Sequence, residues 1–246
     1  MLLIHLDGLE WERAKWNYLV KLVLKMGWKL SVRYAKRLIT DSLYVTNLIP
    51  IKHRPKAHLI RYGAEHLPTG SLAESPENSD YVLTIARAEP ENKLELILKT
   101  VINDSAYTMV LISNAGHTRY GKKLIKKYGD HSRVKFVEAI YDNPALLQSY
   151  RFNCTLYIHG HSAGGTNPSL IEAMAAGIPV FAWDNPFNRE TTYNMARYFH
   201  DRESLSRLIQ EWSEQPDHDL GSRLRQITGE SYQWDKVYEQ LIEALK

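Results

Sequence analysis

The chain contains a single cysteine, Cys154, in 246 residues. An intrachain disulfide is therefore impossible, a covalently stapled scaffold is excluded, and this cysteine usage fits a reducing cytosol. No apolar run approaches the roughly 20 residues needed to span a bilayer. The opening Met1-Leu2-Leu3-Ile4 has no basic start and is broken by His5 and Asp7, so it does not read as a secretory signal. No G-x-G-x-x-G follows an early strand, which argues against an NAD-dependent dehydrogenase. Internal repeats and low-complexity tracts are also missing.

What remains has the composition of a soluble globular protein, with 44% hydrophobic and 24% charged residues. The length suffices for one large domain, or one domain plus a fragment. The formal net charge of +3 conceals an asymmetry. Residues 1–66 hold twelve Lys/Arg against five Asp/Glu, a balance of +7, which leaves −4 for the rest. The basic part also carries Trp11, Trp16, Tyr18, Trp28 and Tyr34. Basic residues mixed with aromatics suit a membrane surface or a nucleic-acid face. They equally suit a solvated basic helix packed by its aromatic side.

The first block reads as strand 2–6, a helical stretch over 11–34, strand 37–40 and strand 57–60. Apolar residues recur at helical spacing at Trp16, Leu19, Val20, Val23 and Leu24. Gly27 is a candidate interruption that would give two helices. Asp41-Ser42 looks like a helix cap. Residues 67–80 are rich in Pro, Ser, Gly and Glu and read as a linker. From 81 onward, strands and helices alternate. Strands at 81–85, 108–112, 134–136, 154–158, 180–182 and 197–199 precede helices at 93–101, 121–128, 144–150, 169–176, 189–195 and 202–212. Such alternation with short connections implies a doubly wound parallel sheet covered on both faces, with ligands at the carboxyl ends of its strands.

One segment in that alternation carries chemistry. It runs His159-Gly160-His161-Ser162-Ala163-Gly164-Gly165-Thr166-Asn167-Pro168-Ser169-Leu170-Ile171-Glu172. A glycine-containing turn feeding a helix start points backbone N–H groups at one spot, with the helix dipole behind them. That arrangement suits phosphate, and Glu172, one turn in, suits sugar hydroxyls. Spacing alone leaves an ordinary strand–turn–helix equally open, with both glycines serving only the turn. Cys154 reads as a core residue rather than a nucleophile. His159 and His161 lack companions at metal-ligand spacing. His161 is taken as a cleft residue, and no metal site is expected.

The run from Gly164 to Met174 matches G-G-T-N-P-S-L-x-E-A-M complete. It resembles the donor-site motif of GT-B glycosyltransferases of family 4, and most closely a bacterial rhamnosyltransferase-like branch. The likeness extends to Asp7-Gly8-Leu9-Glu10-Trp11-Glu12-Arg13-Ala14-Lys15-Trp16, which matches D-G-L-E-W-x-R-x-K-W. The family's earlier glutamate, eight positions before Glu172, is replaced by Gly164, as in the branch. The resemblance implies an α/β GT-B architecture: one complete Rossmann-like donor domain (81–228) plus a partial acceptor-side domain (1–66). Residues 67–80 would link them, and a C-terminal helix (229–246) would pack back toward the first part. More than a hundred acceptor-domain residues would then be missing, as in a split or truncated reading frame, with the first strand left as a sheet edge.

The resemblance also implies site roles. Asp7, Arg87 and Glu172 are the catalytic candidates, Asp7 as the acceptor-side carboxylate, with Glu10 sharing that ambiguity. Donor binding falls to Arg87, Lys93, His161, Gly164, Gly165, Thr166, Asn167, Ser169, Leu170 and Glu172, with Pro168 setting the helix entry. The family usually has a lysine five positions after the arginine. Here Asn92 stands there, and Lys93 is the substitute. The implied reaction is transfer of a sugar, by resemblance rhamnose from dTDP-rhamnose, to a lipid-linked bacterial polysaccharide such as O-antigen or capsule. Family membership implies retention of anomeric configuration. No cofactor or metal is expected beyond the nucleoside diphosphate sugar, and no nucleic acid. A lipid-linked acceptor favours a cytoplasmic or peripheral membrane location over a nucleic-acid role. Rival readings are a non-catalytic remnant, a subunit completed by a separate chain, and a nucleotide-sugar epimerase of the same fold.

Overall fold

A computed structural model describes residues 2–64, 74–77 and 80–246 of the chain. Most of the expected linker at 67–80 lies outside the described residues. Two parallel sheets form. The smaller joins β1 (Leu3–Leu6), β2 (Arg37–Thr40) and β3 (Ala57–Leu59) in that order. Helices α1 (Tyr18–Tyr34) and α2 (Leu43–Leu48) lie between them in the chain.

The larger sheet contains β4 (Tyr81–Ile85), β5 (Thr108–Ser113), β6 (Val134–Glu138), β7 (Leu156–His159), β8 (Val180–Trp183) and β9 (Arg197–Phe199). The helices alternating with them are α3 (Leu94–Asp104), α4 (Arg119–Tyr128), α5 (Pro144–Phe152), α6 (Pro168–Ala175) and α7 (Pro186–Thr191). Three more follow: α8 (Arg202–Glu214), α9 (Leu220–Ser231) and α10 (Trp234–Leu245). The strand order is β6-β5-β4-β7-β8-β9, all parallel. The order reverses between β4 and β7, and a crevice opens at the carboxyl end of such a reversal. Strands covered on both faces read as continuous apolar runs. Met109, Val110 and Leu111 in β5 and Leu156, Tyr157 and Ile158 in β7 are fully buried.

Several elements depart from the sequence reading. The stretch at 11–34 is a single turn at Glu10–Glu12 followed by a separate helix, because the Asn17 side chain accepts from Val20 N and starts α1 there. Gly27 does not interrupt α1. Leu19 and Val23 of the expected apolar stripe are exposed, whereas Val32 is buried against Leu6, Leu38, Val45 and Ile49. The helix has two apolar faces, and periodicity could not say which one meets the sheet. The helix expected at 189–195 begins at Pro186 and ends at Thr191, since Tyr193 and Asn194 adopt left-handed backbone angles of +51° and +59°.

The C-terminal helix α10 returns to the small sheet. Ala244 is buried with Ile39 and Ile60, and Arg37 Nη1 donates to the carbonyls of Ala244 (2.7 Å) and Glu243 (3.1 Å). A guanidinium at these last carbonyls also meets the negative end of the helix dipole. Ala64 N donates to Tyr232 O at 2.9 Å beside it. Gly63 faces Trp234 so closely that a Cβ would stand 2.5 Å from the indole ring. Gly63→Ala should therefore lower the urea midpoint without changing the denaturant slope, a loss of about 1–3 kcal/mol from overpacking.

Candidate functional site

A cavity of about 590 Å³ lies between the two sheets, at the β4/β7 reversal. The turn after β1 contributes Asp7 and Gly8, and Arg13 and Tyr62 complete the small-sheet side. The exits of β4 and β5 contribute Arg87, Ser113 and Asn114. Ile140, Tyr141, Leu147 and Arg151 line a more apolar end, and the segment from Gly164 to Ser169 with Glu172 forms the remaining wall. Nine of the residues picked from the sequence thus share one cavity: Asp7, Arg87, His161, Gly164, Gly165, Thr166, Asn167, Ser169 and Glu172.

Two of the picked residues do not join them. Lys93 is turned away. The helical turn Pro90–Asn92 ends with Lys93 in a left-handed conformation (φ +51°), and its Nζ sits 4.7 Å from the Trp183 ring centroid. Asn92 faces the cavity instead. Its Nδ2 donates to Arg87 O at 2.7 Å, and its Oδ1 lies 2.9 Å from His161 Nδ1. Leu170 is fully buried in the core, and its amide bonds Asn167 O at 3.1 Å.

The loop amides also behave differently from expectation. Asn167 caps α6, its Oδ1 accepting from Ser169 N (3.0 Å) and Ser169 Oγ (2.9 Å). Thr166 N donates to Asp41 Oδ2 at 3.0 Å, a carboxylate from the opposite sheet. The amides of Thr166, Ser169 and Leu170 are therefore satisfied within the protein. Those of Gly164, Gly165 and Asn167 meet no protein acceptor among the described residues. Together with the positive end of the α6 dipole they form an arrangement that suits an anion. Gly164 holds φ +130°, a conformation side chains rarely adopt.

Glu172 is ion-paired with Arg151, whose side chain is only 3% exposed. The carboxylate expected to bind a ribose is thus half of a charged pair on the cavity wall. Arg13 is a second unforeseen cation, pairing with Glu10 at 2.9 Å and Glu89 at 3.4 Å. It stands inside the run at 7–16, but a helical-period reading gave it no role. Ser113 Oγ is buried at the cavity wall and has no hydrogen-bond partner among the described residues. None of Arg151, Ser113 or Asp41 belongs to the motifs, so only the folded topology reveals them.

Among the described residues no three His, Cys, Asp or Glu side chains are grouped to hold a metal ion. His159 is buried, stacked on Tyr157 and packed against His161, outside the cavity. One Asp-x-Asp occurs in the sequence, Asp217-His218-Asp219. It lies ahead of α9, away from the cavity, with Asp217 paired to Arg223 at 2.6 Å. The Cys154 thiol is pushed up by burial, as suits a core residue rather than a nucleophile.

Because Asn92 Nδ2 is committed to Arg87 O, Asn92 Oδ1 must accept from His161, which leaves His161 Nε2 as an acceptor beside Gly164. Burial, and then the charges of Arg13 and Arg87, lower the His161 pKa to about 4. The unfolded chain would take up that proton near pH 6.5. Between about pH 4 and 6.5 the unfolded state binds more protons, so stability rises with pH and is lost on acidification. For His161 alone the difference is roughly 3 kcal/mol. His161→Asn should flatten the melting-temperature profile between pH 4 and 6.5, followed by circular dichroism.

Comparison with known proteins fits this geometry. Residues 73–231 match the family model described as "Glycosyl transferases group 1", and residues 1–65 match a "Domain of unknown function (DUF1972)". The O-antigen chain mannosyltransferase RfbU of Salmonella typhimurium is 23% identical over 208 residues, 82% of this chain. The chain spans 58% of the length of that curated relative. The crystal structure of Anabaena HepE in complex with UDP superposes with a TM-score of 0.76 at 19% identity, over 99% of this chain and 71% of that one. Sucrose-phosphate synthase of Thermosynechococcus elongatus gives 0.80 at 19% identity, over 98% and 68%. These likenesses show a shared GT-B fold, and the chain belongs to the group 1 glycosyl transferases.

Proposed function

We propose that the cavity takes a nucleoside diphosphate sugar and that the protein transfers its sugar to a polysaccharide acceptor. One observation carries this reading. The Gly164–Ser169 segment, at the start of α6, and the Arg87 side chain line the same cavity from opposite sides of the β4/β7 reversal. The diphosphate sits between loop amides and guanidinium groups, where preorganised donors meet the charge that grows as the sugar departs. Arg87 is 57% exposed at its side chain and is held only loosely to Glu89, at 4.0 Å, so it can turn to a ligand. The ribose lies along the Glu172–Arg151 pair and the base along Ile140, Tyr141 and Leu147. The sugar points toward Asp7 and Tyr62, where an acceptor hydroxyl enters from the small-sheet side. Charge neutralisation is assigned to Arg87 and Arg13 without a cofactor.

The sugar is the finer part of the proposal. The complete G-G-T-N-P-S-L-x-E-A-M run favours rhamnose from dTDP-rhamnose, whereas the curated relative is a mannosyltransferase. That relative acts in O-antigen assembly, which favours a lipid-linked acceptor here. No described helix is long and apolar enough to cross a membrane. Helix α1, with Tyr18, Leu19, Val23 and Met26 exposed and Lys21, Lys25, Lys29 and Arg33 along it, suits a peripheral lipid contact instead.

Calorimetric titration with dTDP, UDP and GDP tests the reading. One of the three should bind in the micromolar range, and Glu172→Ala and Arg87→Ala should each weaken it about tenfold or more, the value of a charge-assisted contact. Undiminished affinity in both variants would remove the assignment.

A further inference from the structure

Gly165 has no room for a side chain, and what occupies that space is Asp41. A Cβ on Gly165 would stand 2.5 Å from Asp41 Oδ2 and 2.8 Å from Oδ1. Asp41 directly follows β2 of the small sheet and is 1% exposed. Its Oδ2 accepts from Thr166 N at 3.0 Å, and its Oδ1 accepts from Ser42 Oγ at 3.1 Å. Its carbonyl accepts from Thr166 Oγ1 at 3.2 Å. Burial raises the carboxyl pKa, while the Ser42 and Thr166 bonds oppose the shift. Asp41 does not line the cavity, so it holds the loop from behind.

The same turn is gripped a second time. Glu190 of α7 accepts from Leu43 N at 2.7 Å and Tyr44 N at 3.0 Å, and pairs with Arg61 at 3.1 Å. The Tyr44 ring lies 6.0 Å from Phe187, which in turn packs on His161 at 5.8 Å. The turn at 41–44 is therefore clasped between the anion-binding loop and α7.

We propose that Asp41 is a positioning residue for the donor site, so that the first 64 residues shape the Gly165–Thr166 backbone and set donor affinity from the opposite sheet. The inference rests on the reading of the cavity as a nucleotide-sugar site. Two successive glycines have the largest backbone freedom to lose. Ordering them at the moment of binding would weaken the complex, and a loop already held in place avoids that loss. The segment that matches a domain of unknown function thereby acquires a task in donor recognition.

The test uses the full chain and whichever of UDP, GDP or dTDP the wild type binds. Asp41→Ala should weaken binding about tenfold, whereas Asp41→Asn, which still offers an oxygen to Thr166 N, should stay within about twofold. Amide hydrogen exchange at Thr166 should speed up in Asp41→Ala alone. Gly165→Ala should weaken binding beside Asp41 and be largely relieved in the Asp41→Gly background, a coupling that a general loss of stability would not produce. Urea unfolding of each variant checks folding, and if Asp41→Ala does not fold, Asp41→Asn and the Gly165 pair decide. Unchanged or tighter binding by Asp41→Ala, or equal damage from Gly165→Ala in both backgrounds, overturns the inference while leaving the nucleotide-sugar reading intact. A wild type that binds no nucleotide removes that reading, and the inference with it.

Discussion

Two backbones meet without side chains between them at Gly8 and Gly164-Gly165, and the site depends on that approach. A Cβ on Gly8 would lie 3.3 Å from Gly164 and Gly165 backbone atoms, and Gly8 itself holds φ +59°. Both sheets are parallel, so their strand ends deliver loops toward the same crevice. Bulkier residues at this junction would hold the sheets apart. The cavity would widen, Asp41 would no longer reach Thr166, and Glu190 would lose the start of α2. Glycine in the motif thus serves contact between the sheets.

The cations around the cavity differ in how firmly they are held. Arg151 is almost wholly buried against Glu172, and a pair in that setting is a fixed feature, because parting it would strand a charge. Arg13 is anchored by Glu10 and Glu89. Arg87 is half exposed with one long contact, the kind that contributes little on its own. The wall therefore combines two immobile guanidinium groups with one adjustable one. Under the proposed reading, an incoming diphosphate would meet a field that is already oriented and would reorganise a single side chain.

Much of this was legible beforehand. The strand–helix alternation after residue 81 yields the six-stranded sheet, because periodicity and short connections constrain a doubly wound fold strongly. The G-G-T-N-P-S run marked the loop, and Arg87 was marked by its place after the first strand of that sheet. Lys93 misled because one left-handed residue reverses the side-chain order, so that Asn92 takes the inward place. Arg151 stayed hidden because its partner is 21 residues away across α5 and α6, a pairing that spacing does not encode. Asp41 read correctly as part of a cap, since Ser42 does cap α2. Its second contact, 125 residues on, depends on how the sheets are apposed. The exposed side of α1 was missed for a related reason: hydrophobic periodicity identifies an apolar face but not its neighbour.

The paired crossings at Ala64 and Tyr232 have a mechanical consequence. The chain passes from the small sheet to the large one after Ala64 and returns at Trp234, and the two passages are stitched together by the Ala64–Tyr232 hydrogen bond and the Gly63–Trp234 contact. Sliding and twisting would shear the α10 contacts on Ile39 and Ile60. Any widening of the crevice would have to break the Asp41 bond to Thr166 N and the Glu190 bonds to Leu43 N and Tyr44 N.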